Sequence, residues 1–434
     1  MSTRIPRASW IALGAVTAGS FLLRSAWLGA QVLNGDDRLV GLTARNFTAS
    51  GWPEPTMWNH PRLRDLLVQL SLGAFGDGPW GIKAWSVLFG TASVAATGAF
   101  VLALGGTARA ALAAAALVAI DPLHLDFSRQ GINDVYLAFF PVAAIVALAA
   151  YRAEPRPWRL AGAGLLLGLG IASKWSAAFP VLVASAALLW ERTRALERGA
   201  ARRSEVALFV ASLALLPAAV YLLTWWPWFD RGHDLAEWAR FQLSMAAETV
   251  RHQGYPGTKL PGFPGEVVHA WRWFVAPIWY VELVPADPGP GTFFTGVANP
   301  VAWLSVWPAF ALAAWRWRAD GDRTAAALAL LFLSGYLPFA AASRPIWTNS
   351  AVGTAPFAMA LVGWALAWLW QRRSGVAWTW SLAAAAFAAT LWLPAVGVST
   401  PPTDAAVRAL VDPVALDPAS HRRQAALDLG SRRR

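Results

Sequence analysis

Apolar residues fall into long blocks along this chain, and polar residues crowd into the gaps between them. The first four blocks run from about Trp10 to Ala30, Ile82 to Leu104, Ala110 to Leu125 and Val135 to Ala150. A longer block, Leu160 to Trp190, exceeds one crossing and is interrupted by Ser173-Lys174-Trp175, so it reads as two short helices with Lys174 between them. Five more follow: Val206 to Trp226, Pro300 to Trp315, Thr324 to Ala342, Ala351 to Trp370 and Val376 to Val396. Each approaches the ~20 apolar residues that cross a bilayer core as a helix. The pattern predicts an all-α polytopic membrane protein with about eleven transmembrane helices, since helices satisfy their own backbone groups in lipid. Residues 1–398 read as a single transmembrane domain and 399–434 as a polar, flexible tail. Two polar stretches, 31–80 and 227–297, are too long to be turns. Leu39 to Phe47, Leu63 to Leu72 and the spacing Leu235, Trp238, Phe241, Met245 predict interfacial helices within them. Gly254 to Gly265 is Gly/Pro-rich.

Charge assigns sides to this pattern. The net charge of +11 comes almost wholly from Arg, with Lys only at 83, 174 and 259. The Arg residues occupy alternate gaps, as topology signals do, which places the N-terminus in the cytoplasm and argues against a nucleic-acid partner. The first block leads straight into an acidic motif without a small-residue cleavage site, so no removable signal peptide is expected. Cysteine is absent, which excludes disulfides and thiolate chemistry.

Alternation of sides then gathers Asp36, Asp37, His60, Arg129, Asp134, Lys174 and Arg344 at one extracytoplasmic rim. Carboxylates beside cations suit a phosphate-bearing donor and a hydroxyl or amine acceptor. Arg129, Lys174 and Arg344 would hold the phosphate, and Asp36 or Asp37 would take the acceptor proton. Each residue also has a structural reading. Asp36 could instead cap the first interfacial helix, Asp37 orient the loop, and His60 close the turn before Pro61. Asn59 is placed with it as a loop-orienting residue. Arg129 and Lys174 read as snorkelling side chains, Asp134 as Arg129's partner or a cap, and Arg24 as a snorkelling side chain or a donor contact. No metal is required; a divalent cation would fall to Asp36, Asp37 and His60, whose spacing matches no familiar ligand set. The rival class is a transporter or lipid flippase, which calls for ionisable groups near mid-membrane and paired broken helices. A transferase of some other lipid-linked group shares the same site.

The order of motifs resembles the protein O-mannosyltransferase-like family of GT-C-type, lipid-carrier-dependent glycosyltransferases. The pieces are Asp36-Asp37, Asn59-His60-Pro61-Arg62-Leu63-Arg64, Trp80 to Gly90, Ser128-Arg129 to Asp134, Gly168 to Trp175, and Leu337-Pro338 through Arg344 with Pro356-Phe357. The resemblance implies a GT-C fold in the cell membrane. It implies inverting transfer from a polyprenyl- or dolichyl-phosphate sugar to an extracytoplasmic protein, lipid or glycan. It maps the family's first-loop acid onto Asp36, with Asp37 where Glu is usual. Asn59 stands where the family often has an acid, and Trp347-Thr348-Asn349 replaces a common Tyr-His pair.

Overall fold

The computed structural model describes residues 6–49, 60–197, 203–251, 267–275, 278–286, 289–342 and 346–396. Helices dominate. The first half contains α1 (Arg7–Ser25), α2 (Gly35–Ala49), α3 (Leu63–Phe75), α4 (Pro79–Ala103), α5 (Ala108–Ile120), α6 (Pro122–Phe127) and α7 (Asp134–Ala153). The overlong apolar block divides where Lys174 interrupts it, into α8 (Pro157–Ser173) and α9 (Ala178–Glu197). The next crossing is continuous but contains a π-helical turn, Ala211–Leu215, between α10 (Arg203–Val210) and α11 (Leu216–Leu223).

The long polar segment holds α12 (Trp226–Asp230), α13 (Leu235–Arg251) and elements that hydrophobic periodicity had not indicated. A short strand β1 (Val267–Val268) precedes an antiparallel pair, β2 (Ile278–Ala286) with β3 (Gly289–Val297), in which Ile278 faces Val297. The chain then returns through α14 (Pro300–Leu304), α15 (Val306–Asp320) and α16 (Arg323–Ala340). Strand β4 (Ile346–Trp347) pairs with β1, and α17 (Ser350–Arg372) and α18 (Ser374–Val396) close the described chain.

Among the described residues, six helices are long and apolar enough to cross a membrane: Arg7–Ala30, Pro79–Ala103, Asp134–Ala153, Ser204–Leu223, Arg323–Ala340 and Ser350–Arg372. The protein is a multi-pass membrane protein. Its axis is α17, in which every residue from Ser350 to Ala367 is buried. Lipid offers helices little hydrophobic reason to associate, so close packing of small residues must hold them. Alanine-rich α5 supplies such a surface: a Cβ on Gly363 would lie 2.5 Å from the Ala114 backbone nitrogen.

Contacts sort the ends of the bundle. At one end, Thr324 Oγ1 donates to the Leu104 carbonyl (2.9 Å), and Arg152 pairs with Glu191 (2.9 Å). These are the arginine-bearing turns. The opposite end carries α2, α3, α6 and the Lys174 turn, and there the remaining polar side chains converge.

Candidate active site

The segment from Asp121 to Asp134 is buried throughout, and its polar groups tie that end together. Asp121 caps α6 and its Oδ1 accepts the Asn299 N–H (2.9 Å) and the Trp303 indole N–H (3.1 Å), which fixes the return from β3. His124 Nδ1 lies 2.9 Å from Arg24 and its Nε2 3.0 Å from Ser93 Oγ. Gln130 Oε1 accepts from the Asn34 amide (3.3 Å), and Asn133 Nδ2 donates to the Ser173 carbonyl (3.0 Å).

Arg129, one of the expected phosphate ligands, and Arg24 both lie inside the bundle. Arg129 is fully buried, and its Nη1 donates to the carbonyls of Leu23, Arg24 and Ala26 at 3.1, 2.9 and 2.8 Å. It caps the last turn of α1, where a cation meets the negative end of the helix dipole, rather than facing the rim. Arg24 is neither snorkelling nor a donor contact. It is fully buried, bonded to Ser20 and His124, and directed at the last carbonyls of α5.

The acidic pair divides by environment. Asn34 and Asp37 form a reciprocal cap on α2: the Asp37 N–H donates to Asn34 Oδ1 (2.7 Å) and the Asn34 N–H to Asp37 Oδ2 (3.2 Å). Asp37 is fully buried, accepts the Gly131 N–H (2.8 Å) and pairs with the equally buried Lys83 (2.8 Å). Both its oxygens are engaged, so it positions the loop and the structure gives it no open face for proton transfer. Asp36, one residue earlier, is solvent-accessible although protein crowds around it. Crowding raises its carboxyl above the ordinary carboxylate range; Asp37 adds repulsion, Arg64 opposes it, and Asp134 adds more.

Three further cations, Lys83, Arg62 and Arg64, complete the site. Asp65, in the first turn of α3, accepts from Arg64 at Oδ1 (3.0 and 2.7 Å) and from Arg62 at Oδ2 (3.0 Å), and all three are buried. Arg62 also lies over the Trp225 ring, 5.5 Å from its centroid. Lys174 keeps its expected place between α8 and α9, but its partner is Asp134 (2.5 Å), with Ser350 Oγ at 3.0 Å. Asp134 is thus not Arg129's partner. His60 lies half-buried at the entry to α3. Asn59 and Arg344 fall outside the described residues. Signals for Lys83, Arg62 and Arg64 exist in the sequence, as charges within or beside apolar blocks, where an ionisable group needs a partner.

Known proteins resemble the chain in both sequence and shape. The family described as dolichyl-phosphate-mannose-protein mannosyltransferase matches residues 69–231. A polyprenol-phosphate-mannose–protein mannosyltransferase of Corynebacterium glutamicum is 25% identical over 383 residues, covering 72% of this chain and 71% of its own. The enzyme of the same description from Mycobacterium tuberculosis is 26% identical over 355 residues, covering 69% and 68%. The Saccharomyces cerevisiae protein O-mannosyltransferase Pmt1-Pmt2 complex bound to the sugar donor superposes with a TM-score of 0.75 at 12% identity, over 94% of this chain and 92% of that one. ArnT from Cupriavidus metallidurans bound to undecaprenyl phosphate gives 0.56 at 16% identity, over 94% and 73%. The chain has the GT-C fold and is protein O-mannosyltransferase-like in sequence.

Proposed function

We propose that this protein is an inverting membrane glycosyltransferase that moves mannose from a polyprenyl-phosphate donor to a hydroxyl of an acceptor protein outside the cytoplasm. The names of the sequence relatives support the donor, the sugar and the acceptor class. The arginine-bearing turns at the far end of the bundle support the orientation.

One observation carries the mechanism: Asp36 is the carboxylate left open in a ring whose other acids face fixed cations. Lys83 holds Asp37, Lys174 holds Asp134, and Arg62 and Arg64 share Asp65. Ionised Asp36 lies within electrostatic reach of Arg64. The acceptor oxygen attacks the anomeric carbon from the face opposite the phosphate. The bond from that carbon to the phosphate oxygen breaks, and its electron pair leaves with the lipid phosphate. The acceptor proton passes to Asp36. Neutralising Asp36 leaves Arg64 less countered just as the phosphate gains a negative charge, so the site stabilises charge where it develops. No metal enters this step.

Purified protein in lipid vesicles is expected to transfer labelled mannose from polyprenyl-phosphate mannose to a serine- or threonine-bearing acceptor, with inversion at the anomeric carbon. Absence of transfer from that donor, or retention of anomeric configuration, overturns the reading.

A further inference from the structure

Lys174 sits where the N-termini of two long helices meet. It bonds Asp134, the first residue of α7, and Ser350, the first residue of α17. The residue before each helix is an asparagine, Asn133 and Asn349. Both have helical backbone angles, so neither side chain turns back to cap its own helix and each amide is directed elsewhere. The Asn133 amide turns its Nδ2 to the carbonyl of Ser173, the residue preceding Lys174, and this contact fixes which end of the amide is which. Its Oδ1 is buried and unpartnered, as is Oδ1 of Asn349. Asn133 is 2% exposed, so water at the surface does not reach it.

Two amide oxygens with no donor thus belong to the residues next to the two that bond Lys174. An unmet buried acceptor costs about 1–3 kcal/mol, and an amide oxygen favours hydroxyl donors while repelling phosphate. We propose that Asn133 and Asn349 form the subsite that reads the hydroxyls of the donor's sugar ring, with Lys174 between them. This rests on the glycosyltransferase reading above and deepens it. In a glycosyl phosphate the ring is joined directly to the phosphate, so a hydroxyl-reading pair belongs beside a cation and helix N-termini that favour the phosphate charge. Asn349 is only half-buried. It gives the ring its point of entry, and Asn133 lies deeper.

Donors lacking one ring hydroxyl at a time, tested against the full-length wild type and Asn349→Ala, decide the matter. For one of these deoxy donors the wild-type kcat/KM is expected to fall about tenfold, the loss of one hydrogen bond. Asn349→Ala is expected to show the same loss with the complete donor and no further loss with that deoxy donor. Should Asn349→Ala fail to fold, Asn349→Leu keeps the side-chain size without a hydrogen-bonding group and is expected to give the same pattern. Equal deoxy penalties in wild type and variant overturn the subsite, as does an ordered water bridging the amide oxygens with donor bound. If the wild type itself transfers sugar from no lipid phosphate, the glycosyltransferase reading fails and takes the subsite with it.

Discussion

Asp36 and Asp37 are adjacent in sequence and opposite in circumstance, and that contrast sets the expectations at the residue scale. A proton acceptor must be ionised to act, and crowding holds Asp36 protonated to a higher pH than an ordinary carboxylate. Activity should therefore fall on acidification through a midpoint above about 4, the usual Asp value, as a pH profile of kcat/KM would show. A midpoint at or below that value contradicts the assignment. The stability linkage has the matching sign. A raised carboxyl favours the protonated folded state, so stability is lost as pH rises through the raised pKa. Asp36→Asn is accordingly expected to melt no lower than the wild type at neutral pH. Asp37 behaves differently because its partner is buried with it. Asp37→Asn removes the carboxylate that pairs with buried Lys83 and leaves the ammonium the neutral Gln31 amide oxygen, and breaking a buried pair from one side costs about 3–5 kcal/mol. Thermal unfolding in detergent should reveal that loss, and should find the double variant Asp37→Asn with Lys83→Met less damaged than the single one.

Elements were legible in proportion to how far hydrophobic periodicity decides them. The break at Ser173-Lys174-Trp175 locates two helices because one apolar block cannot be crossed twice without a polar turn. The β2–β3 pair was missed although its sequence carries the signal: β-branched and aromatic residues flank Asp287-Pro288-Gly289-Pro290-Gly291. In a chain of apolar helices, a polar stretch of that length invites an interfacial helix instead. The structural role of the Asp121–Asp134 segment was invisible for another reason. Its partners lie from 31 to 182 residues away, and pairings of that kind leave no periodic trace. Gly90 on α4 is what admits this segment: a Cβ there would lie 2.2 Å from Ser128 Oγ and 2.5 Å from Ser128 Cβ. Gly90→Ala should displace the loop that holds Arg129 and Gly131, at a cost of about 1–3 kcal/mol, and lower activity with it. Adding Ser128→Gly should restore both, as unfolding and transfer assays can check. An unaffected Gly90→Ala protein would show that the loop tolerates the shift.

At the scale of the whole molecule, the sides of the bundle were readable and the assignments within the site only partly so. Alternating charge separated the arginine-bearing turns from Asp36, Asp37, Asp134 and Lys174, and the contacts place those groups at opposite ends. Charge alone cannot tell a cation that faces a cleft from one that caps a neighbouring helix, which is why Arg129 was misassigned and Arg64 overlooked. The chain has no cysteine, so single cysteines can report orientation against a silent background. A cysteine replacing exposed Asp77 should react with an impermeant maleimide in intact cells, and one replacing exposed Ala153 only after permeabilisation. The reverse pattern contradicts the extracytoplasmic placement. The account as a whole turns on Asp36 acting in the chemical step and not in holding the donor. The direct measurement compares purified wild type with Asp36→Asn for binding of polyprenyl-phosphate mannose and for its turnover. Donor affinity should stay within about twofold while turnover falls by about 10²–10⁴, the usual share of a general base; undiminished turnover in Asp36→Asn contradicts the account.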